Sequence, residues 1–328
     1  MTLLRTAILG CGGIGLRHAG AIATLREQME LVACAGRSPQ RVAAFAESFG
    51  ARGYTDYERM LATERLDLLI VAIPPFAHAG QVEKAAQSGV HVLVEKPIAL
   101  TRERAHSMVQ AAHAAGIVAA CGFMYRFGDA VARWDSAAAS QQTGRVGMFI
   151  GQFHCNALHA DWWRERARSG GQMVEQLIHI VDLARHQLGE PQTVYARSSN
   201  FFHRGLDRYD SEDSSAIVLG YDDGRIGVLN ATNGAVPGKW DKLWQVVAER
   251  MTGRFTGWNN ATLTHTSGAV HVEEIATETD VFVAQLADIV RAIRTGGRPR
   301  VPLEEGAATL RVVLAAGEAA AHRREITL

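Results

Sequence analysis

The tightest constraint on this chain lies near its start, in Thr6-Ala7-Ile8-Leu9-Gly10-Cys11-Gly12-Gly13-Ile14-Gly15. The apolar run at residues 7–9 reads as a short buried strand, and residues 16–25 read as a helix. Between them Gly10, Gly12 and Gly15 satisfy G-x-G-x-x-G. In a dinucleotide site the first glycine permits the tight turn, the second lets a pyrophosphate approach the backbone, and the third lets the helix lie close on the strand. The helix N-terminus then offers free N–H groups and a positive dipole end to phosphates. A chain with 32 glycines meets this pattern by chance, so it carries weight only because strand and helix flank it. Gly10, Gly12, Gly13, Ile14 and Gly15 are therefore expected to hold a dinucleotide, the alternative being a glycine-rich turn with no ligand.

Downstream, strand and helix alternate as in a βαβ array. Strands are expected at residues 31–35, 66–73, 90–94 and 117–121, and helices at 39–49, 56–63, 77–88 and 102–115. Short apolar runs separated by helices indicate a parallel sheet covered on both faces, with ligands at the carboxyl ends of its strands. The pattern changes after residue 122. Residues 124–140 and 173–188 read as helices, and 146–156, 193–198, 215–221, 225–232 and 244–248 as strands. Asp222-Asp223-Gly224 marks a hairpin, and strands in succession indicate an antiparallel sheet. Two helices, 282–295 and 304–323, close the chain. The fold class is thus α/β, with a dinucleotide-binding domain at 1–122 and a second α/β domain at 123–328 carrying an open, mainly antiparallel sheet. The last helix is expected to pack back on the first domain.

Length and charge exclude several classes. At 328 residues the chain is long for one core and suits two domains. Its 34 basic and 34 acidic residues balance, so neither nucleic acid nor an anionic membrane is the expected partner. Cys11, Cys34, Cys121 and Cys155 show neither metal-ligand spacing nor a disulfide framework, and no metal is expected. Without a signal peptide or an 18-residue apolar window, a cytoplasmic location is expected.

Four features together resemble the Gfo/Idh/MocA family of glucose–fructose oxidoreductase and inositol dehydrogenase. They are the opening glycine run, Pro74-Pro75-Phe76-Ala77-His78, Glu95-Lys96-Pro97, and Gly170-Gly171 followed by a helix bearing His179 and Asp182. The resemblance implies a Rossmann domain, an NAD(P)-dependent oxidoreductase acting on a hydroxyl or carbonyl of a sugar, polyol or related cyclic compound, and a homodimer or homotetramer formed through the second domain's sheet. It also places Pro74, His78 and Glu95 at the cofactor, although the residues alone read His18, His78, His106 and His113 as helix-surface or structural. A non-sugar reductase or dihydrodiol dehydrogenase on the same scaffold, and a non-catalytic NAD(P)-binding sensor, are the competing readings.

The chemistry follows from the residue types. Hydride transfer at a carbinol carbon needs the hydroxyl proton removed, and imidazole titrates nearest physiological pH, so His179 is the expected acid/base. The Lys96 ammonium at a strand's carboxyl end would bind substrate and cofactor and stabilise developing alkoxide charge. Glu175, His179 and Asp182 fall at i, i+4 and i+7 and share one face of an α-helix, with Gln172 and Gln176 as a second polar pair. Glu175 stands where the family usually has aspartate, and Leu177 where it has glycine; Glu175 is expected to orient His179 or bind a substrate hydroxyl. Arg126, in Tyr125-Arg126-Phe127, is a candidate for substrate oxygens or for an interdomain ion pair. Asn156 and His159 are candidates at the cleft border. Trp162 and Trp163 read either as a sugar platform or as core, and Asp161 and Glu165 as surface charges.

Cofactor choice is read from the end of the second strand, where NAD-binding domains place an acidic residue about 20 residues beyond the glycines. By the family resemblance Gly36 occupies that place, followed by Arg37, Ser38 and, one turn on, Arg41. A missing carboxylate and two guanidinium groups favour a 2′-phosphate, and NADP(H) is expected over NAD(H). The alternative is that Arg37 stacks on the adenine and Arg41 is solvated, leaving either cofactor usable.

Overall fold

The computed structural model describes residues 2–156 and 160–328, which divide into two compact units. The first is built from β1 (Leu4–Leu9), α1 (Gly13–Thr24), β2 (Met29–Ala35), α2 (Pro39–Phe49), β3 (Arg52–Tyr54), α3 (Tyr57–Thr63), β4 (Leu68–Val71), α4 (Gln81–Gln87), β5 (His91–Val94), α5 (Arg102–Ala115) and β6 (Ala119–Cys121). Its six strands are parallel in the order β3-β2-β1-β4-β5-β6. The order reverses beside β1, so the glycine turn that leaves β1 sits at the topological switch point where such sheets bind ligands. Ile8, Leu68, Leu69, Ile70, Val71 and Leu93 are wholly buried, which explains their uninterrupted apolar runs. Ser38, Asp56 and Thr101 cap the starts of α2, α3 and α5 with side-chain oxygens. The helix expected over 77–88 is shorter. Pro75–Ala77 makes a separate 3₁₀ turn, and α4 begins only after Gly80, whose φ of +108° breaks the register.

The second unit contains α6 (Asp129–Ala139), β7 (Val146–Asn156), the short α7 (Asp161–Arg164) and α8 (Arg166–Ser169), α9 (Ile178–Leu188), β8 (Thr193–Ser199), β9 (Ser214–Gly220), β10 (Ile226–Pro237), β11 (Trp240–Ala248), β12 (Met251–Gly257), β13 (Asn260–His265) and β14 (His271–Ala276). With β15 (Ile326–Thr327) they form a nine-stranded sheet, β14-β13-β12-β11-β7-β10-β9-β8-β15. Only the β7–β10 pair is parallel among the pairings described. The Asp222-Asp223-Gly224 turn joins antiparallel β9 and β10, as its sequence predicts. One face of the sheet is covered by α9, whose Ile178, Ile180, Val181, Leu183 and Ala184 are all wholly buried. Gly151 allows that approach, since a Cβ there would stand 2.4 Å from Ile180 Cγ2.

Two expectations change. The helix over 173–188 is not uniform: Met173–Leu177 is a π-helical turn, and α geometry begins at Ile178. The second unit is also not everything beyond residue 122. Asp280–Ala307, comprising α10 (Val281–Thr295) and the start of α11 (Leu303–His322), belongs with the parallel-sheet unit, which otherwise ends at Met124. The reason is local packing: Gln285 donates to the Cys121 carbonyl at 3.1 Å, Cys121 N–H donates to Val301 O at 3.0 Å, and Phe282 meets the His18 ring edge-on at 5.1 Å. Among the described residues no helix is long and apolar enough to cross a membrane.

Candidate active site

In the first unit Gly10 and Gly15 meet the steric demands that the spacing predicts for a tight turn and a close helix–strand approach. Gly10 has a φ of +120°, and a Cβ there would lie 2.3 Å from the Ala72 carbonyl oxygen. At Gly15 it would lie 2.0 Å from Gly10 O, so neither position accepts a side chain. Gly12 and Gly13, by contrast, face open space at the N-terminus of α1, with Gly12 as its cap residue. That opening, next to the first N–H groups of a 12-residue helix, fits a pyrophosphate.

At the end of β2, Arg37 and Arg41 are exposed, and among the described residues neither has a carboxylate partner. Ser38 is engaged as the α2 cap, accepting from Arg41 N–H at 3.4 Å. A Cβ at Gly36 would stand 3.2 Å from Val42 Cγ2 and 3.5 Å from Cys11 Sγ.

The Glu95-Lys96-Pro97 segment leaves β5. Glu95 turns inward: Oε1 lies 2.7 Å from His18 Nε2 of α1, and Oε2 accepts the Lys96 N–H at 3.2 Å. Gly122 makes room for it, since a Cβ there would lie 2.6 Å from Glu95 Oε2. His18 is accordingly a buried structural residue and not a helix-surface one. His78, from the Pro-Pro turn, is also buried, with Nε2 3.3 Å from the Ile73 carbonyl; burial holds its imidazole below the ordinary histidine range.

In the second unit Gly170 and Gly171, at φ +81° and +95°, make the turn into the π segment. A Cβ at Gly171 would lie 2.4 Å from Glu212 Oε2. Glu212 was not singled out from sequence, yet it organises this turn: Oε1 accepts the Met173 N–H at 2.9 Å, and Oε2 pairs with Arg166 Nη2 at 2.6 Å. Burial pushes its carboxyl pKa up, partly opposed by Arg166 and the Met173 amide. A raised folded-state pKa gives stability that is present below the unfolded value, about 4.3, and is lost as pH rises through the folded one. The melting temperature of the native protein minus that of Glu212→Gln should therefore grow as pH falls from about 7 toward 5. A flat difference across that window in scanning calorimetry would refute it.

The π turn alters the expected face. The i, i+4 spacing of Glu175 and His179 assumes α geometry, which holds only from Ile178 onward, for His179 and Asp182. Glu175 and His179 are nonetheless gathered around one residue. The Tyr125 ring stacks on the His179 imidazole at 4.4 Å and 13°, and Phe153 lies parallel on it at 6.4 Å. Burial first, and the Glu175 carboxylate second, push the Tyr125 phenol pKa well up, so Glu175 acts on Tyr125 electrostatically.

Asp182 receives Arg126 in a fork: Nε to Oδ2 at 2.8 Å and Nη2 to Oδ1 at 2.6 Å, both side chains buried. Thr309 donates to the same carboxylate at 3.3 Å and takes a bond from Arg185 at 2.6 Å. Of the two expectations for Arg126 the structure shows the ion pair, formed within one unit and not between domains. Gln172 and Gln176 enter a buried network with Ser215, Cys155 and Asn233. Asn156 donates to Ala235 O at 3.1 Å, and Trp162 and Trp163 meet edge-on at 5.7 Å. Asp161 and Glu165 pair with Arg164 and Arg168 near the surface. His159 lies outside the described residues. Sequence reasoning passed over Lys242, whose Nζ lies 5.9 Å from the ring centres of both Tyr125 and Phe153; its signal was a charged residue in strand alternation with Trp240, Trp244 and Val246.

Two family descriptions match this chain: an oxidoreductase family with an NAD-binding Rossmann fold over residues 4–123, and the GFO/IDH/MocA C-terminal domain over residues 131–253. The chain belongs to the Gfo/Idh/MocA oxidoreductase family. Among its relatives, D-xylose 1-dehydrogenase (NADP(+)) 2 of Haloferax volcanii is 29% identical over 321 residues, 95% of this chain and 96% of that protein. Inositol 2-dehydrogenase of Rhizobium meliloti is 25% identical, covering 99% of both. The structure of a levoglucosan dehydrogenase with NADH and levoglucosan superposes with a TM-score of 0.92 over 99% of both chains at 20% identity, which extends the Gfo/Idh/MocA fold across both units.

Proposed function

We propose that this chain is an NADP(H)-preferring dehydrogenase or reductase of a sugar or polyol. The observation that carries the reading is His179: a buried imidazole stacked on Tyr125 and parallel to Phe153, on the helix that follows the Gly170-Gly171 turn. Xylose and inositol dehydrogenases among the relatives support the substrate class. The bound nicotinamide supplies the hydride acceptor or donor. His179 takes the hydroxyl proton in oxidation and returns it in reduction. Lys96 holds the reacting oxygen and stabilises its developing charge. Glu175 orients the site or binds a hydroxyl, and Asn156 borders the substrate. Gly10, Gly12, Gly13, Ile14 and Gly15 hold the dinucleotide phosphates, with Pro74, His78 and Glu95 shaping the pocket around it. Arg126 acts through Asp182, fixing the start of α9.

The test is turnover of D-xylose, myo-inositol and levoglucosan with each cofactor. Absence of turnover alongside tight NADP(H) binding would instead favour a sensor. Dihydrodiols in the same screen test the non-sugar reading.

The cofactor choice rests on Gly36, Arg37, Ser38 and Arg41. Neither arginine has a carboxylate partner among the described residues, which leaves both guanidinium groups available to a 2′-phosphate. Arg37→Ala should weaken NADP(H) by about tenfold or more and NAD(H) far less, a loss on the scale of a charge-assisted hydrogen bond. A native preference for NAD(H) in kcat/KM would overturn this assignment.

Ile150, Val218 and Leu243 expose apolar side chains on the nine-stranded sheet, which supports a homodimer or homotetramer formed through that sheet. A monomer in sedimentation would refute it. A cytoplasmic location completes the proposal.

A further inference from the structure

Lys242 stands on β11 between Trp240 and Trp244, on the face that carries the buried Trp244 and Val246. Strand alternation calls for an apolar residue there. Instead a half-buried ammonium is flanked by aromatic rings: Nζ is 5.1 Å from the ring centre of Trp258, 5.8 Å from Trp240, and 5.9 Å from both Tyr125 and Phe153. The last two rings are the ones that lie parallel to the His179 imidazole. The proposed acid/base and this cation therefore share one aromatic surround.

Ring faces compensate the charge of an ammonium but accept none of its three N–H donors strongly, and the half-buried Lys242 keeps its Nζ open to solvent. Among the described residues Lys242 has neither an ion pair nor a hydrogen bond from its ammonium. Burial holds its pKa below the usual lysine range, with Cys155 and Asp241 opposing. Linkage gives the cost its sign: the unfolded chain binds the proton more tightly, so the charged residue detracts from stability at neutral pH. An ammonium set among aromatic rings, without a protein acceptor among the described residues and open to solvent, is placed to donate to a bound molecule.

We infer that Lys242 is a substrate-binding residue, whose ammonium donates to a substrate oxygen other than the one at the reacting carbon. This rests on the dehydrogenase reading above and deepens it: the substrate carries an oxygen beside its reacting carbinol, as a hydroxyl or a carboxylate. Hydroxyl and carboxylate share the acceptor chemistry and differ in charge.

The test compares Lys242→Met and Lys242→Arg with the native enzyme on D-glucose, D-xylose and myo-inositol, and on the acids D-glucuronate and D-gluconate. For Lys242→Met, KM for the substrate should rise by about tenfold or more, kcat and KM for the cofactor should stay within about threefold, and the melting temperature should hold or rise. Lys242→Arg should recover part of the loss. A larger rise for the acids assigns a carboxylate, and an equal rise assigns a hydroxyl. An unchanged substrate KM in Lys242→Met overturns the inference, as does a lowered melting temperature with parallel loss of kcat. If the native enzyme turns over none of these compounds, the dehydrogenase reading fails on its own. Lys242 is then judged by tryptophan fluorescence, because Trp240 and Trp258 adjoin it: quenching by the same compounds in the native protein but not in Lys242→Met sustains the inference, and identical responses overturn it.

Discussion

His179→Ala and Lys96→Ala should each lower kcat/KM by roughly two or more decades, the range for losing a positioned acid/base or an oxyanion-stabilising charge. The two losses should differ in kind. His179 belongs to the second unit and the dinucleotide turn to the first, so His179→Ala should leave NADP(H) affinity nearly unchanged. Lys96 follows β5 at the carboxyl end of the nucleotide-binding sheet, and its loss should weaken the cofactor as well as the chemistry. Truncating His179 also removes the stacking partner of Tyr125, so His179→Asn, which keeps a planar polar group, is the companion variant. Steady-state kinetics with fluorescence titration of NADPH separates the effects. Near-normal turnover in either histidine variant would remove His179 from the mechanism.

The second large effect is on stability. Asp182→Ala should cost about 3–5 kcal/mol, because it leaves the buried Arg126 guanidinium without the carboxylate it grips through two bonds. For a unit of this size that is a fall in melting temperature on the order of 10 °C. Replacing both partners by apolar residues, Arg126→Met with Asp182→Leu, should recover much of the loss, since it removes the buried guanidinium together with the carboxylate that holds it. Urea unfolding of the three variants decides it: a single-variant cost below about 1 kcal/mol would mean that water or another group already satisfies Arg126. The double variant should still lose activity, because the pair anchors the helix that carries His179.

Several features were legible in one dimension because local physics decides them. The glycine turn needs only a strand, three glycines at fixed spacing and a helix. Apolar runs such as Leu68–Val71 announce a strand buried on both faces, and Asp222-Asp223-Gly224 announces a hairpin. The fold class and most elements followed from such signals, whereas Glu95-Lys96-Pro97 stood out through the family resemblance. Strands β12 to β14 did not, since MTGRFTG, NATLTH and HVEEIA carry little apolar alternation and are strands chiefly because neighbours pair with them.

What the sequence by itself determined was therefore the identity of short-range devices: which residues turn, end helices and alternate. Only the tertiary structure decided how distant residues pair. It returned Asp280–Ala307 to the first unit, drew Glu95 onto His18 and Arg126 onto Asp182, and set Glu212 against Gly171. It also placed a π turn before His179, where periodicity assumes regular helix, and set Lys242 beside the rings of Tyr125, Phe153 and Trp258, which lie on other segments of the chain. The physical reason is common to all of these. A buried charge or a backbone irregularity is tolerated only where partners far apart in sequence compensate it, and no window of neighbouring residues records those partners.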